Sequence, residues 1–139
     1  MPDPIRQNIV DHDLTVRFPF TTTVTGSPAA AAETIVATLT IPSFNEIAVV
    51  TGIRLRGWLA FTVGTNGVSA RVRLKQTDAS GTTVADTGLT TVTAANLLEM
   101  SINGTDLAPG IGKYVMTLII GSGSAASTVS AVSLAADII

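Results

Sequence analysis

Hydrophobic and polar positions alternate with a period of two along much of the chain, and the alternation is clearest between Ile53 and Lys75. Ile53, Leu55, Gly57, Leu59, Phe61 and Val63 fall on one side, and Arg54, Arg56, Trp58, Ala60 and Thr62 on the other. After Asn66-Gly67 the pattern resumes, with Val68, Ala70, Val72 and Leu74 against Ser69, Arg71, Arg73 and Lys75. Period two marks pleated strands with one face turned to a core. Asn-Gly between two such runs is the strongest short-range sign of a hairpin, because both residues tolerate the positive φ of its turn. With Asn66 and Gly67 at the centre of the turn, Val63 faces Ala70, Phe61 faces Val72 and Leu59 faces Leu74, so the apolar partners share a face. The opposite face then gathers Arg54, Arg56, Trp58, Arg71, Arg73 and Lys75, five of the chain's eight Lys and Arg residues around its only Trp.

The rest of the chain predicts more strands and no helix longer than a turn or two. Residues 1–13 carry two prolines, mixed charge and no period, and read as an extended arm in which Pro2, Pro4, Ile5, Ile9 and Val10 are the docking candidates. Leu14 to Thr25 is β-branched and aromatic and is broken by Pro19, the mark of an edge or bent strand. Thr34 to Ile41 sets Ile35, Ala37, Leu39 and Ile41 against Thr34, Val36, Thr38 and Thr40 before Pro42 stops it. Short strands are expected over Thr82–Ala85, Leu89–Ala94 and Leu97–Ile102, with Asn103-Gly104-Thr105 as a break. Tyr114 to Ile120 is almost continuously apolar, as a central strand buried on both faces would be. Ser127 to Ile139 is the final strand, with Val132, Leu134 and Ile138 on one face. About eight to ten strands at intervals of roughly ten residues describe an all-β fold, a single antiparallel sandwich over residues 14–139, and jelly-roll, immunoglobulin-like and barrel orders all fit that spacing.

Composition narrows the function. Only 13% of the residues are charged and 46% are hydrophobic, yet 4% are aromatic, so the apolar content rests on small and β-branched side chains suited to sheets. So little charge on a soluble domain implies that a partner covers part of the surface, and a second copy of the chain is the first expectation. The net charge of −2 removes any general attraction to nucleic acid. With no cysteine there is no disulfide scaffold, thiolate metal site or cysteine nucleophile. Met1 to Arg6 lacks the basic and apolar regions of a secretory signal, and the longest apolar run, Tyr114 to Ile120, is strand-sized rather than membrane-spanning.

Chemistry-bearing patterns are few. The single histidine, His12, would have to serve any metal site or Ser-His-Asp triad, and no G-x-S-x-G nucleophile elbow accompanies it. Asp78, Asp86, Glu99 and Asp106 could form a carboxylate pair, but each lies beside turn residues and reads as a turn-former. Gly110-Ile111-Gly112-Lys113 lacks the spacing of a phosphate loop, and Lys113 is followed by Tyr114 instead of Ser or Thr. The expectation is therefore a protein without enzymatic activity, cofactor or metal.

The basic hairpin face has two readings. As a solvated outer face it keeps the sheet soluble. As a contact surface it exposes Trp and Arg, the residue types that anchor interfaces, to an acidic protein, an anionic polysaccharide or a symmetry mate. Taken together, the signal-less sandwich, the proline-bearing arm, the strands rich in Ala, Thr, Val and Ser, and the absence of cysteine resemble the small jelly-roll or β-sandwich decoration (cement) proteins of tailed-phage heads. The resemblance implies synthesis in the host cytoplasm, a place on the virion surface, homotrimers and an arm that reaches a neighbouring capsid subunit, and it carries over no individual residue. The expected function is thus a virion structural protein, a decoration or minor capsid subunit that stabilises the shell. The alternative is a carbohydrate- or receptor-binding sandwich of the fibre-tip type, with Trp58 as the stacking platform.

Overall fold

Ten strands account for the backbone of the computed structural model, which describes residues 14–18, 22–24, 33–40, 52–63, 68–92, 97–108, 113–121 and 127–138. They are β1 (Leu14–Phe18), β2 (Thr22–Val24), β3 (Glu33–Thr40), β4 (Ile53–Thr62), β5 (Val68–Gln76), β6 (Thr83–Asp86), β7 (Thr90–Val92), β8 (Leu98–Asp106), β9 (Lys113–Ile120) and β10 (Ser127–Ile138). No helix occurs among the described residues. The arm candidates Pro2, Pro4, Ile5, Ile9 and Val10 lie outside them.

The strands form two five-stranded sheets. The first has the order β1-β10-β4-β8 with β2 also beside β10, and the second the order β3-β9-β5-β6 with β7 also beside β5; every pairing is antiparallel. The pairing is nested: β1 and β2 meet β10, β3 meets β9, β4 meets β8, and β5 meets β6 and β7. A chain doubled back on itself in this way and wound across two sheets is a jelly roll, one of the orders the strand spacing allowed.

The expected hairpin does not form. β4 and β5 are consecutive, but β4 lies between β10 and β8 in the first sheet and β5 between β9 and β6 in the second. Period two records only which side of a strand is buried. Since both sheets of a sandwich turn their apolar sides inward, a chain crossing between sheets keeps the parity that a hairpin would have. The Asn66-Gly67 segment itself lies outside the described residues.

The core is made by the alternation all the same. Ile53, Leu55, Leu59 and Phe61 of β4, Val72 and Leu74 of β5, Met116, Leu118 and Ile120 of β9, and Leu134 of β10 are fully buried between the sheets. Each such side chain contributes about 1.5–3 kcal/mol on transfer from water. Two departures from simple alternation have visible causes. A register shift between Ile35 and Ala37 turns Val36 inward and leaves Ile35 42% exposed, reversing the expectation for β3 on its N-terminal side. β8 also runs straight through Asn103-Gly104-Thr105, the expected break. Gly104 is there for close packing: a Cβ would lie 2.8 Å from the Cβ of Ala85 on β6.

Candidate interaction surface

The six residues of the expected basic face are divided between the two sheets. Arg54, Arg56 and Trp58 alternate on β4 with the buried Ile53, Leu55, Gly57 and Leu59, and so stand on the outer side of the first sheet. Arg71, Arg73 and Lys75 alternate on β5 with buried Ala70, Val72 and Leu74, on the outer side of the second. The sandwich core lies between the two triplets, and no single surface presents all six.

The β5 triplet is neutralised within the chain. The Arg71 guanidinium grips Asp86 through Nε, at 2.8 and 3.0 Å from the two carboxylate oxygens, and through Nη2. Arg73 donates from Nε to the same carboxylate at 3.0 Å and lies 3.4 Å from Glu33. Lys75 reaches Glu33 at 3.2 Å and also donates to the carbonyl of Ala79. Thr117, buried on the outer side of β9, donates to the other oxygen of Glu33 at 2.7 Å. The network crosses four strands, β3, β9, β5 and β6. The Arg71 contact, aided by the Gly88 amide and Arg73, holds the Asp86 carboxyl well below the usual carboxylate range. Partial burial pushes the Glu33 carboxyl up, but the hydrogen bonds from Thr117 and Lys75 outweigh it and leave the group below its ordinary value. Three cations facing two carboxylates this closely leave little charge for a partner.

The β4 triplet is more open. Arg54 and Arg56 are exposed and Trp58 is half-buried. Arg56 pairs with Asp137 of β10 at 3.2 Å, an exposed ion pair worth at most about 1 kcal/mol. The register places short side chains, all but one of them polar, beside the triplet: Trp58 lies between Ser133 and Ser101, Arg56 between Ala135 and Asn103, and Arg54 between Asp137 and Thr105.

A third cluster was not legible in the sequence. Asp106, at the end of β8 and 7% exposed, accepts hydrogen bonds from the Tyr114 hydroxyl at 2.8 Å, from Gln76 Nε2 at 2.6 Å and from the Ala108 amide at 2.9 Å. Asp106 belongs to the first sheet, and Gln76 and Tyr114 to the second, so the carboxylate clamps the two together at one end of the sandwich. Burial, with the nearby Asp106 carboxylate, pushes the Tyr114 hydroxyl far above its ordinary value. The turn-former reading of the aspartates has a geometric counterpart, since Asp78, Asp86 and Asp106 each accept the amide two residues on, at Ser80, Gly88 and Ala108. Glu99 stands exposed on β8. Among the described residues no group of three or more His, Asp or Glu side chains is placed to hold a metal ion.

With this geometry established, known proteins were compared with the chain. No protein-family model matches it, and no curated protein matches it in sequence. Solved structures do match. The infectious bursal disease virus Gt strain structure superposes with a TM-score of 0.61 at 12% identity, over 93% of this chain and 33% of that one. The fold is one found in a virus particle. The VP2 subviral particle of the same virus gives 0.60 at 12% identity, over 91% and 33% of the two chains, and the T=1 particles derived from that virus give 0.58 at 13%, over 93% and 32%. This chain therefore spans about a third of the length of the viral proteins it matches. At such identities the likeness concerns the path of the backbone and assigns no residue a role.

Proposed function

We propose that this chain is a structural protein of a virus particle, without enzymatic activity, cofactor or metal, located on the virion and acting by binding copies of itself and a capsid shell protein. The observation that carries the reading is that this jelly roll superposes over nearly its whole length on structures of a virus and its particle. The low charge content supports it, because a surface with few charges is suited to burial against neighbours. In its finer form the protein is a decoration or minor capsid subunit of a tailed phage, trimeric, with residues 1–13 as the arm that docks on an adjacent subunit. Stability would come from apolar contact repeated across many identical interfaces. Light scattering and electron microscopy of the purified chain test the proposal. Discrete oligomers or shells are expected, and removal of residues 1–13 should leave a folded domain that no longer assembles; a chain that stays monomeric at every concentration reached would overturn it.

The outer face of β4 favours a second reading, a module for carbohydrate or another receptor. Trp58 stands half-exposed among serines, with Arg56 and Arg54 beside it, an arrangement able to stack on a sugar ring and hold an anionic substituent. On a glycan array, Trp58→Ala should lose retention while keeping its thermal melt. Equal retention of the two proteins would count against this reading.

A further inference from the structure

The four sheet edges are not alike. At one edge of the first sheet, two short strands, β1 and β2, share the side of β10 and are separated by residues 19–21. In the second sheet, β3 carries a register shift, and the opposite edge is divided between β6 and β7, of four and three residues. Breaks and bulges of this kind are how sheets avoid pairing edge to edge. β8 has no such device. It pairs with β4 over nine residues from Leu98 to Asp106 without a shift in register, contains neither proline nor lysine, and has no strand on its other side among the described residues.

Exposed apolar groups bracket the same strand. Four large hydrophobic residues are exposed among the described residues, and two of them, Leu97 (59%) and Leu107 (74%), immediately flank β8. We propose that β8 pairs antiparallel with β8 of a second copy about a two-fold axis at Ile102, making one continuous sheet across a dimer. In that register Leu97 of one copy lies opposite Leu107 of the other, so the leucines left in water by the single chain cover one another. On the outer face Ser101 is opposite Asn103 and Glu99 opposite Thr105, so no like charges meet. On the inner face Met100 is opposite Gly104, the one position of the strand without a side chain, and Ile102 meets its own copy. The pairing joins the outward N–H and C=O groups of the edge, which no other strand takes up among the described residues, and is isologous, so this contact closes at two copies. It does not use the N-terminal arm or depend on the virion reading, although Ser101 and Asn103 adjoin Trp58 and Arg56 on the outer face of the sheet.

Charge placed at opposed positions tests the register, since like charges directly across a strand pair destabilise it and opposite charges support it. Ser101→Glu with Asn103→Glu brings carboxylates together twice across the axis, whereas Ser101→Lys with Asn103→Glu brings opposite charges together. By light scattering, the original chain and the Lys/Glu variant should have the same mass, twice that of the Glu/Glu variant at the same concentration, whatever other contacts the chain makes. Equal masses for all three, or a monomeric original chain, would overturn the proposal. A second measurement covers poor folding of a variant. Because the chain has no cysteine, Ser101→Cys copies mixed with Asn103→Cys copies should oxidise to a disulfide-linked pair much faster than either alone, and absence of that preference would also overturn it.

Discussion

Tyr114 shows most directly how one side chain couples the two sheets. Its hydroxyl is sealed in the core and spends its only proton on Asp106, a buried carboxylate that also takes donors from Gln76 and Ala108. Removing one donor of a buried charged acceptor costs more than an average hydrogen bond, so Tyr114→Phe should lower unfolding free energy in urea by about 1.5–3 kcal/mol. Asp106→Ala strands the buried Tyr114 hydroxyl and the part-buried Gln76 amide and should cost at least as much. Alkali probes the same contact. The folded phenol is held protonated while the unfolded one ionises near its ordinary value, about 10. Its contribution is thus complete below about pH 10 and is lost as pH rises towards the folded value. Since this is the only tyrosine, its phenolate absorbance should rise together with unfolding and not ahead of it. None of this was legible in the sequence. Tyr114 looked like one apolar residue in an apolar run, and Asp106 like a turn residue, because a contact between β8 and β9 across two sheets leaves no mark in local spacing.

At the scale of the strand, β4 and β5 show what alternation records and what it omits. Gly57 breaks the apolar side of β4 with no turn in sight, and its neighbours in both sheets explain it: a Cβ there would lie 2.7 Å from Met116 Sδ of the opposite sheet and 2.9 Å from Ile102 Cγ2 of the adjacent β8. Gly57→Ala should therefore destabilise by about 1–3 kcal/mol, the cost of overpacking, less whatever the flexible Met116 relieves, and Met116→Ala in the same chain should recover part of the loss in thermal melts. On the outer side of β5, Glu33 and Asp86 bind their cations with lowered pKa values. A depressed carboxylate contributes stability above its unfolded value, about 4, and that stability disappears as pH falls towards the folded value. Unfolding free energy should accordingly drop below about pH 4, and the drop should be shallower in Asp86→Asn. Partial exposure keeps the effect modest.

For the whole molecule, the jelly roll decides which surfaces exist. It places β4 and β5 in opposite sheets, so of the five basic residues expected around Trp58, Arg54 and Arg56 share its face, and Arg71, Arg73 and Lys75 turn to Glu33 and Asp86. Arg54→Ala with Trp58→Ala should thus alter binding to any partner of the first sheet, whereas Arg73→Ala should chiefly lower stability; binding and melting measured on the same two proteins separate the effects. The sequence by itself determined the fold class, the strand parity, the central place of β9 and most of the core, because burial on one or both sides of a strand is written locally as a period of two or a continuous apolar run. Which strand lies beside which, the bulge that turns Val36 inward, the glycines that admit Met116 and Ala85, the clamp at Asp106 and the division of the basic residues were decided only by tertiary structure. Each depends on contacts between residues far apart in the chain, and a strand's alternation is the same whichever neighbour satisfies its hydrogen bonds.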